Sequence, residues 1–246
     1  MRQAIVIKVG TSTLLDNDEQ PSWTFERIAA SVKSLSETHD VVLVTSGAIG
    51  FGVTQLKLRE RPTSLRQLQS LSMIGQVGLL RRWREAFDGM TIGQILVTRR
   101  DLETTSTAQL FRESVASLWE YGAVPIVNEN DAVSTEEISF GDNDRLAAEV
   151  AVAIGASQLV LLTDQDGIQA DFGTVQQRRL ETISIGQVDA HIQPTKSELG
   201  RGGASSKVQA ARLALDANID VYVAYAAQDH AVEAALSGRS GTNIVK

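Results

Sequence analysis

Val41-Val42-Leu43-Val44-Thr45-Ser46-Gly47-Ala48-Ile49-Gly50 is the stretch that decides the fold class. Val41 to Val44 run without a polar alternate, so the strand they predict must be covered on both faces, which is the habit of a parallel sheet. The run stops at Ser46-Gly47, a turn signal. Outward from it the same alternation recurs. Ala4 to Val9 predict a strand ended by Gly10-Thr11-Ser12, and Phe25, Ile28, Ala29, Val32 and Leu35 follow at helical spacing. Further strands are expected over 91–98, 123–127, 158–162 and 220–224. Helices are expected around 108–121, 144–154 and 205–217. This βαβ rhythm predicts an α/β protein, a mostly parallel sheet with helices on both faces. Two stretches break it: 132–141 reads as a small hairpin over the sheet, and 168–198 is polar and takes no assignment.

Composition narrows the function classes. The chain has 246 residues, with no composition shift, repeat or low-complexity linker, and reads as a single domain over 1–246. The formal net charge is −7, and the basic residues are scattered apart from Arg81-Arg82 with Arg84, Arg99-Arg100 and Arg178-Arg179. That argues against nucleic acid as a partner. With no cysteine there is no disulfide, zinc–thiolate or thiol-nucleophile chemistry. Met1-Arg2-Gln3 is not followed by a signal-peptide core, and no apolar run reaches membrane-spanning length. The expectation is a cytoplasmic protein without a membrane partner.

In an open parallel sheet, ligands bind beyond the carboxyl ends of the strands. Those ends carry Gly10-Thr11-Ser12, Ser46-Gly47-Ala48, Asn128-Glu129-Asn130-Asp131 and Thr163-Asp164. Lys8 lies inside an apolar strand, where its ammonium needs a counter-charge unless it reaches solvent at the strand end. Ser46-Gly47-Ala48 reads either as a turn with an N-cap serine or as a set of N–H groups for a carboxylate. No glycine stands two before Ser46, so this is not a nucleophile elbow. Asp144 is an N-cap candidate for the helix that follows it, and Gly141-Asp142-Asn143-Asp144 fails the spacing of a calcium loop. His39, His191 and His230 are dispersed, which supports neither a metal site nor a histidine triad.

Gly200-Arg201-Gly202-Gly203-Ala204-Ser205-Ser206-Lys207 opens a helix with glycines and a lysine, the parts needed to hold a phosphate. It does not match the P-loop, because Lys207 is followed by Val208 and no strand precedes it. Two lysines, several carboxylates and carboxamides and a set of glycine turns suit phosphoryl transfer, where catalysis is mostly positioning and charge neutralisation.

Ile7-Lys8-Val9-Gly10-Thr11-Ser12, Val44-Thr45-Ser46-Gly47-Ala48-Ile49, Pro125-Ile126-Val127-Asn128-Glu129-Asn130-Asp131, Gly141-Asp142-Asn143-Asp144 and Leu161-Leu162-Thr163-Asp164 occur in that order. With Gly202-Gly203 through Lys207, they resemble the glutamate 5-kinase branch of the amino acid kinase family over nearly the whole chain. The resemblance implies a three-layer αβα sandwich that phosphorylates the γ-carboxylate of L-glutamate with ATP and Mg2+, the first step of proline biosynthesis. It is similar to the short form that lacks an RNA-binding-like domain. Carried over, Lys8 and Lys207 would flank the transferring phosphoryl group, with Asp144 orienting both. Ser46, Gly47, Ala48, Asp131 and Asn143 would hold glutamate. Thr163 and Asp164 would face the nucleotide, and Arg201, Gly202, Gly203, Ala204, Ser205, Ser206 and Lys207 would wrap its phosphates. Magnesium would ride on ATP oxygens, with no dedicated metal site in the protein. Partners implied are L-proline as feedback inhibitor, further copies of the chain in a homo-oligomer, and glutamyl-phosphate reductase. The sequence departs from the family pattern at Arg201 (usually threonine), at Ile168-Gln169 with Asp171-Phe172, and at Thr104 to Gln109. N-acetylglutamate, aspartate or uridylate kinase activity, or a catalytically silent amino-acid sensor, are the alternative readings. A dinucleotide-dependent reductase is disfavoured, since no G-x-G-x-x-G follows the first strand.

Overall fold

The structure is a computed structural model and describes residues 2–15, 23–134, 143–171, 173–191 and 204–246. The amino-terminal half runs β1 (Ala4–Val9), α1 (Thr11–Leu14), α2 (Thr24–Ser36), β2 (Asp40–Val44), α3 (Ala48–Gln55) and α4 (Leu65–Phe87). Then come β3 (Ile92–Val97), α5 (Arg99–Glu103), α6 (Thr105–Glu120), β4 (Val124–Glu129), α7 (Asp144–Ile154) and β5 (Gln158–Thr163). The remainder is β6 (Gln169–Ala170), β7 (Arg178–Arg179), β8 (Thr182–Ser184), a 3-10 turn at Val188–His191, α8 (Ala204–Asp216), β9 (Asp220–Tyr225), α9 (Ala231–Leu236) and β10 (Thr242–Val245).

Eight strands form one sheet in the order β3-β4-β2-β1-β5-β9-β10-β8. All neighbouring pairs are parallel except β9 with β10. The sheet is mostly parallel, as its apolar runs predict. Alternate residues of each strand feed two separate cores. Val6, Val42, Val44, Leu159 and Leu161 pack under α6, α7 and α8. Ile5, Ile7, Leu43, Val160 and Leu162 pack under α2, α4 and α9. The result is the αβα layering.

Lys8 occupies the place in β1 where the Ala4, Val6 alternation would put another apolar residue toward α7 and α8. It is paired in register with Val44 of β2 and Leu161 of β5, and Val44 is paired with Val127 of β4. The residues that follow these partners, Thr45-Ser46, Asn128 and Leu162-Thr163, therefore emerge along one edge of the sheet. The chain leaves β1 toward β2 on one side and reaches β5 only later on the other, so β1 is the topological switch point.

Several local expectations change. Asp144 is not the N-cap of α7; Asn143 holds that place and Asp144 is the first helical residue. Gly47, not Ser46, is the N-cap of α3, with φ of 103°. That backbone geometry is left-handed, which glycine tolerates and other residues resist. The polar 168–198 stretch contains the β6–β7 ribbon and the edge strand β8 among its described residues. Of the hairpin expected at 132–141, residues 135–141 lie outside the described residues. Among the described residues no helix is long and apolar enough to cross a membrane.

Candidate active site

The centre of the site is a single carboxylate held between two ammonium groups. Asp144 is fully buried at the start of α7. Its Oδ1 lies 2.5 Å from Nζ of Lys8, which is itself buried. Nζ of Lys207, in the first turn of α8, donates to Asp144 Oδ2 at 2.8 Å, and the Ser206 hydroxyl donates to the same oxygen at 3.1 Å. Burial alone pushes the Asp144 carboxyl up, but the Lys8 and Lys207 charges outweigh it and hold it well below the usual carboxylate range. The two cations and one anion leave a net positive charge, with Lys8 and Asp144 buried and Lys207 partly open to solvent. A Cβ added at Gly10 would stand 3.5 Å from the Lys8 ammonium, so the chain after β1 passes directly against it.

Next to this clamp lies a cleft lined by Thr11, Ser46, Gly47, Ala48, Ile49, Gly50, Arg61, Asn128, Asp131 and Asn143. The space it encloses, open solvent at its mouth included, is about 310 Å³. The N-terminus of α3 forms one wall, with helix N–H groups and the positive dipole end. Ser46 Oγ is buried in this wall and has no hydrogen-bond partner among the described residues. A buried hydroxyl left unpaired is costly unless a ligand completes it.

Asn143 is oriented by groups that leave no choice. Its Nδ2 donates to the carbonyl oxygen of Thr45 at 2.5 Å and to Oδ1 of Asn128 at 2.7 Å. Only an NH2 group can serve a carbonyl acceptor, so Oδ1 of Asn143 is turned away from Thr45. Asn128 Oδ1 also accepts from the Glu129 N–H, and Asn128 Nδ2 donates to Gln76 Oε1 of α4 at 2.7 Å. This relay pins both amides. Asp131, at the turn after β4, is buried and its carboxyl is pushed up to about 7 by burial, with Arg61 pulling the other way.

The sequence-predicted residues fall into two groups. Lys8, Asp144, Ser206 and Lys207 meet at the clamp, and Ser46, Gly47, Ala48, Asp131 and Asn143 meet in the cleft. Thr163 and Asp164 stand at the end of β5, beside β1, where the Thr163 hydroxyl donates to Asp164 at 3.1 Å. Ala204 and Ser205 open α8, whereas Arg201, Gly202 and Gly203 lie outside the described residues. Thr11, Arg61 and Asn128 were not among the predicted ligand-holding residues and are brought in by the fold. Asn128 sits in the strand-end motif and could have been included on that ground. Arg61 and the supporting Gln76 carry no local signal of this kind.

An open, mostly parallel sheet with its polar constellation at the switch point places the chain among the αβα sandwiches. The same architecture appears in carbamate kinase from Giardia lamblia bound to AMP-PNP, with a TM-score of 0.70 and 16% identity over 100% of this chain and 99% of that one. It appears also in UMP kinase from Ureaplasma parvum, with a TM-score of 0.66 and 16% identity over 100% of both chains. More specifically, the chain belongs to the amino acid kinase family, whose model matches residues 3–225. A glutamate 5-kinase of Rhodopseudomonas palustris (strain BisB18) is 38% identical over 97% of this chain and 66% of its own length. One from Clostridium acetobutylicum is 36% identical over 95% of this chain and 90% of its own. The chain thus spans just under two thirds of the first of these relatives and most of the second.

Proposed function

We propose that this protein transfers the γ-phosphoryl group of ATP to the γ-carboxylate of L-glutamate, giving L-glutamyl 5-phosphate and ADP. The observation that carries the reading is the adjacency of Asn143 and Asp144. One lines the cleft and the next clamps both lysines, so acceptor and transferring group would sit side by side. In this reading Lys8 and Lys207 neutralise charge on the phosphoryl oxygens from either side, and Asp144 keeps the two ammonium groups apart at fixed positions. An ionised carboxylate is already a nucleophile at neutral pH and requires no general base, which agrees with a centre built without histidine. As its oxygen bonds to phosphorus, the bond to the bridging oxygen of ADP breaks and no proton need move.

Ser46 Oγ, the Gly47 and Ala48 N–H groups, Asn143 Oδ1 and Asp131 are assigned to glutamate. Asp131 suits the substrate ammonium and speaks against an N-acylated or phosphate-bearing acceptor. Thr163, Asp164 and the segment from Arg201 to Lys207 are assigned to the nucleotide side. Magnesium, carried by the ATP phosphates, supplies further charge neutralisation when bound. We take residues 1–246 as one amino acid kinase unit acting in the cytoplasm in proline biosynthesis. Self-association, inhibition by L-proline and hand-over of the acyl phosphate to a reductase extend this reading.

Incubation with L-glutamate, MgATP and hydroxylamine tests it, since hydroxylamine traps the acyl phosphate as a hydroxamate. Hydroxamate from glutamate, and little from N-acetylglutamate or aspartate, is expected. No product from glutamate, or a preference for N-acetylglutamate, sinks the assignment.

A further inference from the structure

We propose that Arg61 reads the α-carboxylate of the acceptor, so that the cleft recognises the zwitterionic head of an α-amino acid with two opposite charges of its own. This rests on the acceptor reading given above and names the contact that reading lacks. Among the described residues lining the cleft, Arg61 is the cationic side chain and Asp131 the anionic one. They reach it from different parts of the chain: Arg61 from the connection between α3 and α4, Asp131 from the turn after β4. Both line the same cleft, and the Arg61 guanidinium lowers the Asp131 carboxyl against the effect of burial.

The remaining polar atoms divide the space. Asn143 Oδ1 is an acceptor and Asp131, once ionised, an anion in the same lining, which together suit an ammonium. Ser46 Oγ and the α3 N-terminus suit an anion. The clamp begins one residue from Asn143, so the reacting carboxylate belongs on that side, near Lys8 and Lys207. The second carboxylate of a dicarboxylic amino acid then needs a cation of its own, and Arg61 is the one that the described lining supplies. A guanidinium meets a carboxylate in a bidentate, planar arrangement that no other lining residue can offer.

The test uses wild type, Arg61→Gln and Arg61→Lys, with L-glutamate and glutamate 1-amide as acceptors. The amide keeps the ammonium and the γ-carboxylate but neutralises the α-carboxylate. A hydrogen-bonded charge pair of this kind corresponds to about a ten- to hundredfold effect. Wild type is expected to favour glutamate over the amide by such a factor in kcat/KM. Arg61→Gln should raise KM for glutamate by a similar factor with kcat changed only a few-fold, and barely affect the amide. Arg61→Lys should recover part of the loss. Equal weakening of glutamate and amide, or no change in KM, overturns the assignment. Calorimetry of both compounds with the same three proteins reads the contact without turnover. A preference for glutamate that Arg61→Gln abolishes sustains the role of Arg61 even if no hydroxamate forms, in which case only the transfer reaction fails. A wild type that binds neither compound overturns both.

Discussion

Two buried carboxylates of this protein, Asp131 and Asp144, are driven in opposite directions. Asp144 keeps its charge because two ammonium groups outweigh its burial. Asp131 sits where burial prevails, and its carboxyl is pushed from 3.8 to about 7. A carboxyl that holds its proton more tightly in the folded than in the unfolded chain makes stability fall as pH rises between those two values. Asp131→Asn removes that dependence. The variant should melt higher than wild type at pH 8, and the gain should shrink as pH approaches 4. Thermal melts across this range check it, and a difference in melting temperature independent of pH counts against the shift. Glutamate affinity should move the opposite way, being lost in the variant and declining in wild type below about pH 7, because the ionised form pairs with the ammonium. Lys8 and Asp144 were legible in the sequence, the first as a charge inside an apolar strand and the second at the start of an amphipathic segment. The state of Asp131 was not, since its titration depends on burial that β4, α3 and the α3–α4 connection create together.

Helices α3 and α4 lie closer together than side chains usually permit. A Cβ at Gly75 of α4 would come within 1.9 Å of the Ala48 carbonyl oxygen and 2.3 Å of the Gly52 nitrogen, both backbone atoms of α3. A Cβ at Gly52 would meet the Leu71 carbonyl oxygen at 2.2 Å. The contact matters for function because α3 begins at the cleft wall and α4 carries Gln76, the last member of the amide relay. Gly75→Ala should therefore push α3 away, destabilise the protein by about 1–3 kcal/mol and raise KM for the acceptor. Gly78→Ala, one turn along the same helix, meets side-chain atoms alone, the Phe51 ring at 3.4 Å and Gln55 Oε1 at 3.9 Å. It should be neutral or stabilising by up to about 1 kcal/mol, the usual effect of removing a helical glycine. Equal behaviour of the two variants in denaturant melts and kinetics would refute the close-contact account. The same packing explains why α3 and α4 were not read from the sequence. On the buried face of α4, Leu68, Leu71 and Leu79 are interrupted by Ser72 and Gly75, which breaks the apolar stripe where α3 presses in. Helices with a full stripe were legible: α7, with Leu146, Ala147, Val150 and Ala151, matches its expected bounds.

At the scale of the molecule, β1 joins two halves that would serve different ligands, the acceptor side toward β2 and β4 and the nucleotide side toward β5 and β9. Each ligand that binds only the folded protein stabilises it by about 2.7 kcal/mol at a concentration a hundred times its Kd. For a chain of this size that corresponds to a melting temperature about 5–10 °C higher. L-glutamate and a non-hydrolysable ATP analogue should each produce such a rise. Glutamate without effect at saturating concentration would contradict the acceptor assignment. The sequence by itself determined the parallel sheet, the helices with a full apolar stripe and the chemistry of the strand ends, because apolar periodicity and turn residues act over a few neighbouring positions. Only the tertiary structure decided which ends meet. The order β2-β1-β5 sets Lys8 at the switch point, α7 and α8 bring Asp144 and Lys207 to it, and the α3–α4 connection delivers Arg61 to the cleft. These placements follow from how sheet faces and helices fill a common core, a condition spread over the whole chain and carried by no short stretch of it.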